Sequence, residues 1–151
     1  LGDGIALVDD SYNSNPHALQ RMLDVMASEH RFGRRVAVLG EMLELGEQGM
    51  RWHHECGRSA ARAGVSRLVT VGGPAARAMA DAAVEAGLEA ADVTHVATSR
   101  DAADVVSGVL RPGDLVLVKG SRGVRMEVVA DLVKAERREP ESRTGGRDSD
   151  S

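Results

Sequence analysis

Short apolar runs alternate with longer stretches of helical period along this chain. Residues 5–8 (IALV), 36–39 (VAVL), 67–71 (RLVTV), 93–97 (VTHVA) and 115–118 (LVLV) are mostly continuous and rich in β-branched side chains. Runs of that kind belong to strands buried on both faces, which implies a parallel sheet covered by helices. Between them the period is helical. Leu19, Met22, Leu23 and Met26 share a face after Asn15-Pro16, where Asn suits the cap and Pro the first helical position. From about residue 48 to 63, Trp52, Cys56, Ala60 and Ala63 form a second apolar face, with Trp52 and Cys56 expected in the core. A third, Ala-rich helix is predicted from Pro74 through Ala86. A fourth follows Ser99, buries Ala102, Val106 and Val109, and stops at Arg111-Pro112-Gly113. A fifth runs from about residue 124 to 134 with Met126, Val129 and Val133 inward. Such alternation implies right-handed βαβ units. The predicted fold is α/β in three layers, with a mainly parallel sheet of five or six strands and helices on both faces.

Composition narrows this picture. The 151 residues suit one domain. Only 2% are aromatic against 42% hydrophobic, so the core must be built from Val, Leu, Ala and Met. A net charge of −4 argues against a nucleic-acid surface, which needs clustered Lys and Arg. No apolar run approaches the roughly 20 residues of a membrane span, so no membrane association is expected. The single Cys56 excludes an internal disulfide and suits a reducing cytoplasm. From Glu136 to Ser151 no large apolar residue remains. Residues 1–135 are therefore expected to form the domain and 136–151 a disordered polar tail. Leu1 opens the sequence without Met, in the middle of what reads as a strand, and a fragment or excised domain of a longer protein is expected.

In an open parallel sheet, ligands bind beyond the carboxyl ends of the strands. Those ends carry the unusual residues here. The first run leads into Asp9-Asp10-Ser11-Tyr12-Asn13-Ser14-Asn15-Pro16, the second into Gly40-Glu41-Met42-Leu43-Glu44-Leu45-Gly46, the third into Gly72-Gly73-Pro74 and the fifth into Lys119-Gly120-Ser121-Arg122-Gly123. Carboxylates suit ribose hydroxyls, amides suit base edges or peptide groups, and a helix N-terminus favours an anion. An Asx-rich turn with a capping Asn15 is the plain alternative for the first loop. Lys119 and Arg122 between glycines fit a carboxylate or phosphate, or form an ordinary solvated loop. Glu41 and Glu44 flank the same edge or are solvated.

Several chemistries lack their pattern. The sequence has no GxxxxGK[ST] phosphate loop, no GxGxxG and no HExxH. His53-His54-Glu55-Cys56 is predicted helical, and neighbours about 100° apart do not converge on a metal. No catalytic residue is assigned.

The motifs taken together resemble the Mur ligase family. Residues 9–16 are similar to its DDSYNANP-type motif, in the branch that joins D-alanyl-D-alanine to UDP-MurNAc-tripeptide. The likeness continues through residues 38–46, through His53 and Gly57, and ends with residues 117–127, covering about residues 4 to 134. Ser14 and Val124 are mild departures. The resemblance implies a Rossmann-like C-terminal domain of a three-domain, ATP-dependent amide ligase of peptidoglycan precursor synthesis in the cytoplasm. The N-terminal and central ATPase domains, with the phosphate loop and Mg²⁺ ligands, would be missing here. It implies ATP and Mg²⁺ for the whole enzyme, none held tightly by this domain, and no activity of this chain alone. By similarity Asp10 would reach the ATP ribose, with Tyr12, Asn13 and Asn15 lining the nucleotide. Lys119, Ser121 and Arg122, with Glu44 beside them, would face the UDP-MurNAc-tripeptide and D-alanyl-D-alanine. A monomer is expected. Another Mur or folylpolyglutamate-type ligase remains open, although those carry a histidine in the first motif. So does a free-standing nucleotide-binding or interaction module.

Overall fold

A computed structural model of the chain describes residues 4–10, 16–29, 33–43 and 45–136, except the side chains of Asp10 and Arg122. Five strands, β1 (Ala6–Asp10), β2 (Arg34–Gly40), β3 (Arg67–Val71), β4 (Val93–Val96) and β5 (Asp114–Lys119), form one sheet in the order β1-β5-β2-β3-β4. Every pairing is parallel. The helices are α1 (Pro16–Ser28), α2 (Gly49–Arg62), α3 (Pro74–Glu85), α4 (Ser99–Val109) and α5, residues 127–136.

The layers follow from handedness. The chain crosses the sheet in one direction from β1 to β2, β3 and β4, so right-handed crossovers place α1, α2 and α3 on one face. It returns from β4 to β5, which sends α4 to the other face. Packing agrees. Ala37, Leu39, Leu68, Leu115 and Leu117 meet Leu19, Leu23 and Met26 of α1, Cys56 and Ala60 of α2, and Met79 and Ala83 of α3. Val36, Val38, Val69, Val71, Val116 and Val118 meet Ala102 and Val106 of α4 and Met126, Val129 and Val133 of α5. Each fully buried aliphatic side chain contributes roughly 1.5–3 kcal/mol relative to exposure.

The amino ends of the central strands are tied by charge. Arg34 Nε lies 3.1 Å from Asp114 Oδ1, whose side chain is buried, and Arg34 Nη2 donates to the Val109 carbonyl at 2.9 Å. Between α2 and α3 the contact is closest at Gly57, where an added Cβ would fall against the Met79 carbonyl oxygen, well inside contact distance.

Several boundaries differ from the sequence expectation. β1 extends through Asp9 and Asp10, because pairing with Val118 and Lys119 continues the ladder past the last apolar residue. β5 likewise includes Lys119. The fifth helix begins at 127, after a 3₁₀ turn at Arg122–Val124, and reaches Glu136, whose Oε1 accepts from Ser107 Oγ at 2.8 Å. Trp52 is half-buried rather than in the core. The expected polar tail beyond Glu136 lies outside the described residues.

Candidate functional site

With all strands parallel, the carboxyl ends of the five strands share one edge, and the loops singled out in the sequence leave from it. Neighbouring strands β1 and β5, β5 and β2, and β3 and β4 send their chains to opposite faces, which opens crevices along that edge. Ladder bonds extend beyond the strands. The Glu41 amide donates to the Val71 carbonyl at 2.8 Å, and the Gly72 amide donates to the Val96 carbonyl at 3.0 Å.

Side chains then lock the loops to one another. Glu41 Oε1 accepts from the Gly73 amide at 3.0 Å and the Ala76 amide at 3.2 Å, capping α3 from another loop. Buried His53 reaches up from α2: its Nε2 accepts from the Met42 amide at 2.8 Å, and its Nδ1 lies 2.6 Å from the Gly49 carbonyl. Those partners assign the proton to Nδ1. Ser121 Oγ accepts from the Leu43 amide at 2.9 Å, joining the loops after β5 and β2. Met126 lies over the paired ends of β2 and β5. A Cβ on Gly40 would come 2.9 Å from its Sδ, and one on Gly120 would come 3.1 Å from the Gly40 Cα. At either position a Cβ would force the packed Met126 side chain to shift.

At the start of the first two helices, His17 meets Trp52 edge-on with ring centroids 5.4 Å apart, and the Arg51 guanidinium lies 5.4 Å from the Trp52 ring. Beyond β3 and β4 a groove of about 480 Å³ opens among Leu43, Gly72, Gly73, Ala97, Thr98, Ser99 and Gly123–Arg125. Arg125 on its rim has φ 61°, the one non-glycine residue with positive φ among those described. That conformation costs an ordinary L residue on the order of 1–3 kcal/mol. To one side, His95 Nδ1 lies 2.9 Å from the buried Thr70 hydroxyl. Burial, and then the Arg77 charge, hold His95 below the usual imidazole range against the opposing pull of Asp81 and Glu41.

The expected site residues divide sharply. Asp10 closes β1 in register with Lys119, its side chain outside the description. Tyr12, Asn13, Asn15 and Glu44 lie outside the described residues. The Arg122 backbone opens the 3₁₀ turn, and its side chain is likewise outside. Lys119 is 1% exposed at the end of a central strand and already has a partner within the protein. Ser121 is spent on the neighbouring loop. Asp9, next to Asp10, is bound by Lys134 Nζ at 3.1 Å. Sequence reasoning missed the positive φ of Arg125 and the capping role of Glu41. The helical placement of His53 pointed away from a metal but did not reveal its hold on Met42.

This fold is that of a known class. Residues 1–122 match the family model described as Mur ligase, glutamate ligase domain, and the chain belongs to the Mur ligase family. Within that family it is similar to the UDP-N-acetylmuramoyl-tripeptide–D-alanyl-D-alanine ligases. It is 40% identical to the one from Mycobacterium tuberculosis (strain H37Rv) over 151 residues, covering 89% of this chain and 30% of that protein. With the Bacillus subtilis ligase it shares 32% identity over 133 residues, 87% of this chain and 29% of the other. The solved MurF ligase of Thermotoga maritima in complex with ADP superposes with a TM-score of 0.70 at 28% identity, over 93% of this chain and 30% of that one. The chain thus spans about 30% of the length of the curated relatives it matches.

Proposed function

We propose that this chain is the C-terminal domain of an ATP-dependent ligase that joins D-alanyl-D-alanine to UDP-MurNAc-tripeptide. The observation that carries the reading is that the strands leading into the motifs are all parallel and so end at one sheet edge, in a chain whose relatives bear that activity in their names. In such a reaction ATP phosphorylates the tripeptide carboxylate and leaves as ADP. The dipeptide amine then attacks the acyl phosphate, an amide bond forms and phosphate departs. This domain supplies one wall of the site and the ATPase domain the other. Asp10 reaches the ribose, and the loop carrying Tyr12, Asn13 and Asn15 lines the nucleotide. The Lys119–Arg122 loop and Glu44 face the peptide substrates. Among the described residues no group of three or more His, Cys, Asp and Glu could hold a metal ion, and in this reading Mg²⁺ comes with the ATPase domain. The enzyme works as a monomer in the cytoplasm. Among the described residues no helix is long and apolar enough to cross a membrane.

The test compares this chain with a protein extended upstream to include the ATPase domain. The extended protein should convert UDP-MurNAc-tripeptide, D-alanyl-D-alanine and ATP to the pentapeptide product, while the chain alone should neither hydrolyse ATP nor form the amide. In the extended enzyme, Asp10→Ala should raise the KM for ATP or lower kcat by about 10- to 150-fold, the worth of a charged hydrogen bond. Robust ATP hydrolysis by the isolated chain, or wild-type rates for Asp10→Ala, would remove the assignment.

A further inference from the structure

We propose that Arg125 is the cation with which this domain grips the carboxylate of the incoming dipeptide, an assignment that rests on the ligase reading above. Lys119, the strand-end cation expected from the sequence, is buried in β5 with a partner of its own. Arg125 stands on the rim of the groove beyond β3 and β4, with its side chain 75% exposed. Its one ion pair among the described residues is to Glu127 Oε1, at 3.8 Å from Nε. That distance is too long for a hydrogen bond, so the guanidinium fork is held near α5 and left open to a ligand.

The backbone gives a reason to look for function here. At φ 61° a glycine would sit without penalty and an asparagine at less cost than most residues, yet the position holds an arginine. The turn leads into Met126, which is seated over Gly40 and Gly120, and that packing involves no guanidinium. The side chain therefore brings a cost that packing does not explain.

The groove fits a small ligand with methyl groups and one carboxylate. Leu43, Ala97 and Val124 offer an apolar wall, and Thr98 and Ser99 bring the start of α4 alongside. A volume of about 480 Å³ lies in the range of small-molecule sites. D-alanyl-D-alanine has two methyl side chains and a C-terminal carboxylate that the reaction leaves untouched. Arginine binds a planar carboxylate with two parallel hydrogen bonds, and lysine cannot.

The experiment uses the ligase that contains this domain and compares D-alanyl-D-alanine with D-alanyl-D-alaninamide, which lacks the charge. The variants are Arg125→Gly, which removes the side chain while relaxing the backbone, and Arg125→Lys, which keeps the charge without the fork. The wild type should prefer the acid over the amide by about 10- to 150-fold in kcat/KM. Arg125→Gly should lower kcat/KM for the acid by a similar factor, level acid and amide, and leave the KM values for ATP and UDP-MurNAc-tripeptide unchanged. Arg125→Lys should fall between. A folded Arg125→Gly enzyme that still prefers the acid would overturn the proposal. A rise confined to the KM for UDP-MurNAc-tripeptide would also overturn it, by moving the cation to the other substrate. A wild type that joins no dipeptide would bring down the ligase reading itself, and this assignment with it.

Discussion

Glu41 Oε1 lies 3.0 Å from the backbone nitrogen of Gly73, a residue at the start of a helix in the next βα unit. The carboxylate satisfies two N–H groups that α3 cannot satisfy internally, and it brings negative charge to the positive end of the helix. Glu41→Ala should cost about 1–2 kcal/mol, in the range of a lost N-cap. Urea unfolding measures the loss, and hydrogen exchange should place it at residues 73–76. Unchanged stability with unchanged exchange would mean the cap is not energetically significant.

Gly57 makes a stricter prediction. Its Cα faces the Met79 carbonyl, and a methyl group there meets backbone rather than a flexible side chain tip. Gly57→Ala gains helix propensity of about 1 kcal/mol and still should destabilise, because overpacking that moves α2 from α3 costs roughly 1–3 kcal/mol or more. A rise in Tm for Gly57→Ala would refute the close approach.

Cys56 is fully buried, and desolvation followed by the Glu55 charge pushes its thiol from 9.0 up to about 12. The unfolded thiol therefore loses its proton first as pH rises. Stability from this group is intact below pH 9 and is lost between about 9 and 12, on the order of 1 kcal/mol per pH unit. Cys56→Ala should flatten that alkaline decline in urea titrations. Iodoacetamide at pH 8 should label Cys56 in urea and leave the folded protein unmodified.

His95 behaves in the opposite sense on the acid side. Its folded-state pKa is depressed below 6.5, chiefly by burial and then by Arg77. As pH falls below 6.5 the unfolded imidazole takes up a proton first, so stability present above that pH is lost on acidification. His95→Gln should reduce the loss between pH 7 and 5. An NMR titration of the imidazole should find its midpoint below 6.5, and a midpoint above it would contradict the buried contact with Thr70.

What the sequence made legible follows from range. The central strands were readable because both faces are buried, so β2 and β5 are apolar almost throughout. Strand ends were not, because Asp9, Asp10 and Lys119 continue a ladder through backbone pairing that side-chain polarity does not report. The ligand edge was readable from topology alone, since parallel strands must send their loops the same way. Roles within it were not. Glu41 caps a helix that begins more than thirty residues later, and Ser121 accepts from the Leu43 amide across 78 residues of sequence. Arg125 was invisible because nothing in an arginine signals a positive φ. His53 and Gly57 carried the family resemblance, but only packing shows why they are that histidine and that glycine.

The insertion of β5 between β1 and β2 also sets the order in which the molecule can be built. Residue 6 pairs with residue 115, and among the described strands β1 has no other neighbour. On a ribosome adding about 5–20 residues per second, the first strand to emerge waits roughly 5–20 s for its partner. Meanwhile β2, β3 and β4 can assemble with α2 and α3. The earliest strand is thus the last to be seated, and nascent chains stalled before residue 115 should leave residues 4–10 open to protease. Asp9 and Asp10, which close β1, take their places in the ladder only when the far end of the domain has been translated.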